Sequence, residues 1–239
     1  MSAPPLLWRE GGLVAVNKPA GVLVVPGRQP GAGPPLREQL AEALGQPVWV
    51  VHRLDRDTTG VLLFALDAAT HRAASLAFER GEVRKTYLAL VAPPLAAPRV
   101  VDVALVPARR GRMRLAGPGE AGKAARTRLR PLEQHARGGL VEADPLTGRT
   151  HQIRLHLQVA GSPLLVDPQY GRPLPLTAAA LGGEGEAVVL GRTPLHAARL
   201  VLTGASGLPA LDVAAPLPAD MELALALLRG QGRTRNGAD

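Results

Sequence analysis

Apolar residues in this chain come in short runs, and Gly or Pro stands between almost every pair of runs. With 27 Gly and 23 Pro among 239 residues, the backbone is interrupted too often for long helices. Runs such as Val61–Leu66 are far below the ~18 apolar residues that span a bilayer, so no membrane segment is expected. Short runs punctuated in this way read as many strands with a few short helices.

Position by position, Leu13–Val16 and Gly21–Val25 read as extended pieces on either side of a turn at Asn17-Lys18-Pro19-Ala20-Gly21. Gln29–Pro35 is expected to be a loop. Leu36–Leu44 has helical spacing and is stopped by Gly45 and Pro47. Val48–Val51 is extended, and Val61–Leu66 is a buried strand. Ala68–Glu79 is helical, with Gly81 just past its end. Val83–Val91, Val100–Val106, Arg112–Leu115, Ala124–Leu132, Leu140–Ala143, Ala197–Leu202 and Leu211–Val213 read as further strands. Thr150–Val159 reads as a helix capped by Thr150, Pro163–Tyr170 as a loop, and Met221–Leu228 as a closing helix. Strands that do not alternate strictly with helices argue for an α+β fold with a mixed, mostly antiparallel central sheet flanked by helices and loops. The expected division is an N-terminal extension at 1–11, one main domain at 12–229 and a disordered tail at 230–239.

The sequence contains no Cys, which rules out disulfides, Cys–zinc sites, iron–sulfur clusters and a thiol nucleophile. Met1–Trp8 lacks a basic segment followed by an apolar core, so no signal peptide is expected and the expected location is cytoplasmic. The net charge is +8, carried by 28 basic residues, of which only Lys18, Lys85 and Lys123 are Lys. An Arg surplus can reflect background composition or a polyanionic partner, and clustering favours the partner. Nine basic residues lie from Arg99 to Arg130, opposed only by Asp102 and Glu120. That is an electrostatic footprint suited to a polyanion, though not a specific one.

The densest polar cluster is His52-Arg53-Leu54-Asp55-Arg56-Asp57-Thr58-Thr59, between two apolar runs. Asp55 and Asp57 are two apart, and at most one of them is expected to be functional. Arg53 and Arg56 flank Asp55, which favours an ionised carboxylate acting as nucleophile or base over a general acid. A salt-bridged turn would leave the same pattern. The second cluster is Thr147-Gly148-Arg149-Thr150-His151-Gln152-Ile153-Arg154-Leu155-His156. Helical spacing puts His151, Arg154 and Gln158 on one side, either as a site or as a solvated basic face. His151 and His156 are five apart with no carboxylate between them, which is poor spacing for a metal. Tyr87 in Lys85-Thr86-Tyr87 is either core or a ring that stacks on a base. No GxGxxG, P-loop, HExxH or GxSxG pattern occurs, so no nucleotide cofactor or metal is expected.

At His52–Gly60 the chain resembles the RluA-type pseudouridine synthases, whose signature is a His-Arg-Leu-Asp stretch leading to a hydroxyl residue and Gly. Further marks of that family follow in order: Asn17-Lys18-Pro19-Ala20-Gly21, Lys85-Thr86-Tyr87, Gly148–Arg154, Asp167-Pro168-Gln169-Tyr170-Gly171 and Leu195-His196-Ala197. Thr59 stands where the family usually has Ser, and Val166 where it tends to have Gly. Only sixteen residues precede the first mark at Asn17, so the small accessory RNA-binding domain often fused ahead of the catalytic domain is not expected here. The resemblance implies isomerisation of uridine to pseudouridine in structured RNA, ribosomal more than transfer RNA, by a monomer without cofactor. It implies Asp55 as the catalytic carboxylate, Tyr87 packed on the target base, and Arg154 paired with the carboxylate. It further implies Arg53 filling the gap left by an extruded nucleotide, Ile153 closing the pocket, and Arg149, His151 and Lys18 in substrate contacts. A non-catalytic RNA-binding protein of the same fold and a glycosidase acting on free uridine are the rival readings.

Overall fold

A computed structural model describes residues 4–27, 33–172, 174–204 and 207–230. In chain order its elements are β1 (Leu6–Glu10), β2 (Leu13–Lys18), α1 (Leu36–Leu44), β3 (Trp49–Val50), β4 (Thr59–Ala65), α2 (Ala68–Glu79), β5 (Val83–Val91), β6 (Arg99–Asp102) and β7 (Leu105–Pro107). There follow β8 (Met113–Leu115), β9 (Arg126–His135), β10 (Gly138–Pro145), α3 (Gln152–Val159), β11 (Leu176–Thr177), α4 (Ala178–Leu181), β12 (Val188–Leu190), β13 (Leu195–Thr203), β14 (Ala210–Ala214) and α5 (Ala219–Leu228). The fold is the expected mixed α+β, with mostly antiparallel strand pairing. The chain forms two compact units, Met1–Tyr87 with His196–Pro216, and Leu88–Leu195 with Leu217–Asp239.

In the first unit the strand order is β1-β2-β4-β13-β5, with β3 also on β4 and β14 on β13. Every residue of β4 is buried, as its unbroken apolar run requires. It pairs antiparallel with β2 from Leu13↔Ala65 to Lys18↔Gly60. Its two sides are used unequally. β3 takes the far end at Trp49↔Ala65 and Val50↔Phe64, and β13 takes the near end, in parallel, at His196↔Thr59 and Ala197↔Gly60. The chain therefore leaves β3 beside the end of β4 and must travel back along it to start β4. Residues 51–58 make that journey. Ala74 and Ala77 of α2 close one face of the sheet over Leu13, Val61, Leu63 and Leu200. Asp67 caps α2, accepting from the Thr70 N–H at 2.8 Å, which holds its carboxyl below the usual range.

In the second unit the order is β5-β10-β9-β6. β9 and β10 form a hairpin in register from Gly138↔His135 to Pro145↔Thr127, with a bulge between Leu140 and Val141. β7 and β8 make a separate two-stranded ribbon, as do β11 and β12. α5 packs Met221, Leu225 and Leu228 on Leu90, Leu140, Leu165 and Leu190.

Several expectations change. Leu6–Glu10, within the expected extension, forms β1 on β2. Val100–Val106 is two strands, because β6 finds its partner in β9 and β7 finds its own in β8. Gly21–Val25 is not a strand, since the Leu23 and Val24 carbonyls accept from the first N–H groups of α1, Leu36 and Arg37. α3 begins one residue after His151, which takes the N-cap position in the left-handed region (φ 55°) in place of Thr150. The loop expected at 29–35 lies largely outside the described residues, as does all of the expected tail except Gly230.

His52 pins the returning segment. Its Nε2 accepts from Leu63 N–H at 3.0 Å, and its ring stacks on Phe78 at 4.5 Å. Burial, helped by the nearby Lys85 charge, lowers its pKa to about 3. The unfolded chain therefore takes up a proton near pH 6.5 that the folded chain refuses, so stability falls as pH drops from 6.5 toward 3. Between pH 7 and 5 this group alone contributes a loss of about 2 kcal/mol. Urea midpoints at the two pH values should show a smaller shift in His52→Gln, which keeps an acceptor for Leu63 but does not titrate.

Candidate active site

The loop carrying Asp55 is fixed through its backbone by a buried cation. Lys18 has no exposed surface, and its Nζ donates to the carbonyls of Pro19 (2.8 Å), Arg56 (2.7 Å) and Thr58 (2.9 Å). It sits at the end of β2, opposite Gly60, because β2 and β4 share their register there. The sequence reading places Lys18 among substrate contacts; the structure places its ammonium inside, where it faces the loop. Arg56 Nε donates to the Gly21 carbonyl at 3.0 Å, and Thr58 N–H to the Asp55 carbonyl at 3.2 Å, so the loop turns tightly after Asp55. Asp55 is half-buried and Arg53 is exposed.

The hydroxyl and glycine that follow have structural work. Nε2 of the buried His196 lies 3.2 Å from the Ala215 carbonyl, which only accepts, so Nε2 carries the proton. Nδ1 is then the acceptor for the Thr59 hydroxyl at 2.8 Å. Gly60 has φ 108°, and a Cβ there would lie 2.2 Å from the Ala197 carbonyl oxygen. No other residue type permits that approach of β4 to β13.

Tyr87, in β5 of the same unit, is nine-tenths buried. Burial first and the negative charge of Asp55 second raise its pKa above the usual phenol value, so it is a neutral hydroxyl at physiological pH. Asp55 thus lies close enough for its charge to act on the Tyr87 hydroxyl.

The second unit organises the other candidates on α3. Gln152, nearly fully buried, uses its whole amide. Oε1 accepts from Thr147 Oγ1 (2.7 Å) and Arg149 N–H (3.0 Å), while Nε2 donates to the Arg126 carbonyl and Thr127 Oγ1, both at 3.0 Å. Thr127 in turn bonds His156 Nδ1 at 2.8 Å, and burial lowers the His156 pKa. This network ties the start of α3 to β9. The exposed Arg149 reaches the Ala124 carbonyl with Nε at 3.0 Å. Ile153 is buried.

Arg154 is also buried, and its guanidinium forks onto Asp167, with Nε to Oδ2 at 2.8 Å and a terminal nitrogen to Oδ1 at 2.6 Å. It also reaches Gln169 Oε1 at 3.0 Å. Burial alone would raise the Asp167 pKa. The Arg154 hydrogen bonds and charge, with the N–H groups of Gln169 and Tyr170, outweigh it and hold the carboxyl below its usual range. His151, Arg154 and Gln158 share one side of α3, as their spacing implies, and all three converge on Tyr170. His151 Nδ1 is 2.6 Å from its hydroxyl, Arg154 lies over its ring at 4.8 Å, and Gln158 donates to its carbonyl at 2.8 Å. Sequence reasoning missed Asp167 as a partner of Arg154, and Gln152 as the hub of α3. The Asp167–Gly171 stretch carried a signal, since it stood out as a mark of the resembled family, but nothing in the sequence paired it with Arg154.

The basic stretch 99–130 is partly neutralised. Arg114 forks onto Glu120, Arg126 approaches Asp102 at 3.6 Å, and Arg130 meets Glu142 at 2.8 Å. Among the described residues no three metal-ligating side chains gather, and no helix is long and apolar enough to cross a membrane.

The mixed and mostly antiparallel scaffold that carries this loop is that of solved pseudouridylate synthase domains. The solved human RNA pseudouridylate synthase domain containing 4 shares the fold over 94% of this chain and 93% of its own, with a TM-score of 0.72 and 27% identity. The chain belongs to the RNA pseudouridylate synthase family, which matches residues 12–159. It is 38% identical over 232 residues to a ribosomal large subunit pseudouridine synthase D from Nitrosomonas europaea, covering 94% of this chain and 65% of that protein. It is 36% identical to a synthase C from Vibrio cholerae, covering 69% of it. It is 32% identical to the dual-specificity RNA pseudouridine synthase RluA of Yersinia pestis, covering 83% of this chain and 91% of that protein.

Lys18→Met should leave the three loop carbonyls without their donor and cost about 2–4 kcal/mol in urea unfolding. Asp167→Asn keeps shape but strips Arg154 of its counter-charge, with an expected loss of about 3 kcal/mol. Because the folded pKa of Asp167 is depressed, its contribution is present above pH ~4 and disappears as pH falls below that, so the Asn variant should match wild type in acid.

Proposed function

We propose that this chain isomerises a uridine within RNA to pseudouridine, with Asp55 as the catalytic carboxylate. The observation that carries the reading is the immobilised loop of Asp55: Lys18 and Arg56 hold its backbone, and the buried Tyr87 senses its charge. The bond between N1 and C1′ breaks, the uracil turns, and C5 joins C1′. C5 loses one proton and N1 gains one, so atoms and electrons balance without an oxidant or a nucleotide cofactor. Attack of a carboxylate oxygen on C1′ and removal of the ribose 2′ proton both call for the same ionised group. Tyr87, kept neutral, supplies an apolar ring with a hydroxyl at its edge against the base. Arg154, the arginine of the proposed site, is fixed by its two-point bond to Asp167 and by Gln169.

A base inside structured RNA must be extruded before it can react, at a few kcal/mol of unstacking. The exposed Arg53 beside Asp55 suits the vacated stack, the exposed Arg149 and the half-buried His151 suit phosphate and sugar contacts, and Ile153 suits the pocket wall. The named ribosomal relatives favour large-subunit ribosomal RNA, with transfer RNA as the second class to be tested.

Asp55→Asn should abolish pseudouridine formation while RNA affinity stays within about tenfold, ~1.4 kcal/mol. Mapping pseudouridine in total RNA from cells with and without the gene, and in both RNA classes treated with the purified protein, is the deciding measurement. Normal product from the Asn variant removes Asp55 from its role, and release of free uracil in place of pseudouridine replaces the isomerase by a glycosidase.

A further inference from the structure

The β7–β8 ribbon is the most one-sidedly charged segment of the second unit. From Ala104 to Ala125 the sequence holds Arg109, Arg110, Arg112, Arg114 and Lys123 against one carboxylate, Glu120. That carboxylate is already taken: both its oxygens accept from Arg114 at 2.6 Å, and Oε2 also accepts from Gly117 N–H at 2.9 Å. Arg109 and Arg112 stand exposed at the tight turn joining the two strands. An exposed cluster of guanidinium groups of one sign suits phosphate oxygens.

Two strands of three residues each are too few to hold themselves. The ribbon is held from outside. Leu105 packs with Ala125 and with Leu155 of α3, and Met113, Leu115 and Tyr170 pack against them. Met113 N–H donates to the Tyr170 hydroxyl oxygen at 2.8 Å, and that same oxygen lies 2.6 Å from His151 Nδ1. A phenol oxygen that accepts from a backbone N–H still has its proton to donate. Donated to Nδ1, it leaves the proton of a neutral His151 ring on Nε2. The Tyr170 ring meets His151 edge-on at 5.4 Å and lies under Arg154 at 4.8 Å. Its backbone is fixed as well, with N–H on Asp167 at 3.1 Å and the carbonyl on Gln158 at 2.8 Å. His151, moreover, is the one described non-glycine residue with positive φ, a conformation that persists where neighbours over-determine it.

From this convergence we infer that the Tyr170 hydroxyl is a latch. It joins the arginine ribbon to the start of α3, so that Arg109 and Arg112 meet RNA phosphates in fixed register with His151 and Arg154. Tyr170 is thereby a positioning residue and touches no reacting atom. The inference rests on RNA being the substrate, as proposed above. A ribbon without the latch would have to be ordered by the RNA itself, which raises KM and spares kcat.

The test is Tyr170→Phe, which keeps the ring beneath Arg154 and removes only the hydroxyl. In the free protein, amide hydrogen exchange at Met113 should quicken at least tenfold while Leu157 inside α3 is unchanged. On an RNA fragment that the wild type modifies, KM should rise about fivefold or more, with kcat within about twofold. Arg112→Ala should raise KM in the wild type but add less than twofold in the Tyr170→Phe background. Unchanged exchange at Met113, multiplicative KM effects of the two substitutions, or kcat and melting temperature falling together with KM would each overturn the latch. A wild type that forms no pseudouridine in any RNA defeats the functional reading instead, and the exchange measurement still decides whether the latch exists.

Discussion

Permanent positive charge inside the protein is the constraint on which the candidate site depends. Lys18 is fully buried and Arg154 nearly so. Removing such a group from water costs several kcal/mol unless fixed oxygens replace the lost hydration. Lys18 finds them in three main-chain carbonyls, two of them in the Asp55 loop. Arg154 finds them in Asp167 and Gln169. The need to satisfy each cation thus dictates the path of a loop: 56–58 around Lys18, and 167–170 around Arg154.

The two solutions differ in a way that bears on chemistry. Lys18 holds its loop by main-chain carbonyls, so the cation orders Asp55 without being offered to solvent. Arg154 instead meets a carboxylate, and the pair is neutral as a unit, which makes it tolerable beside Ile153 and Leu155. Around both, uncharged groups settle orientation. Gln152 uses both atoms of its amide, and the tautomers of His196 and His156 follow from carbonyls that can only accept. The surface charge that first suggested a polyanionic partner is less free than its sequence density implies. Arg114, Arg126 and Arg130 are drawn to Glu120, Asp102 and Glu142, which leaves the turn of the β7–β8 ribbon as the more exposed part of the footprint.

Elements whose identity rests on local pattern were legible. α1 and α2 run over the residues their spacing implies, because glycine just past each helix end supports the turn, as Gly45 does at φ 64°. β4 and β5 announce themselves by apolar and β-branched content. What failed were segments whose state depends on a distant partner. The stretch 100–106 divides because β9 and β8 compete for it, and Gly21–Val25 gives its carbonyls to α1. Lys18, which the resemblance implies in substrate contacts, is an interior cation by register, since the pairing of β2 with β4 carries it beneath the Asp55 loop.

The order of motifs along the chain by itself determined the family, the α+β class and the residue types available for chemistry: a carboxylate at 55, a phenol at 87 and a guanidinium at 154. Those are properties of short segments, and short segments are written locally. Which oxygen each buried cation would find, which nitrogen of each histidine would carry the proton, and which tyrosine would join the arginine ribbon to α3 were decided only by the tertiary structure. Such pairings join residues tens to more than a hundred positions apart, as Thr59 and His196 are, and hydrogen-bond satisfaction in a closed interior, where water cannot substitute, is what selects among them.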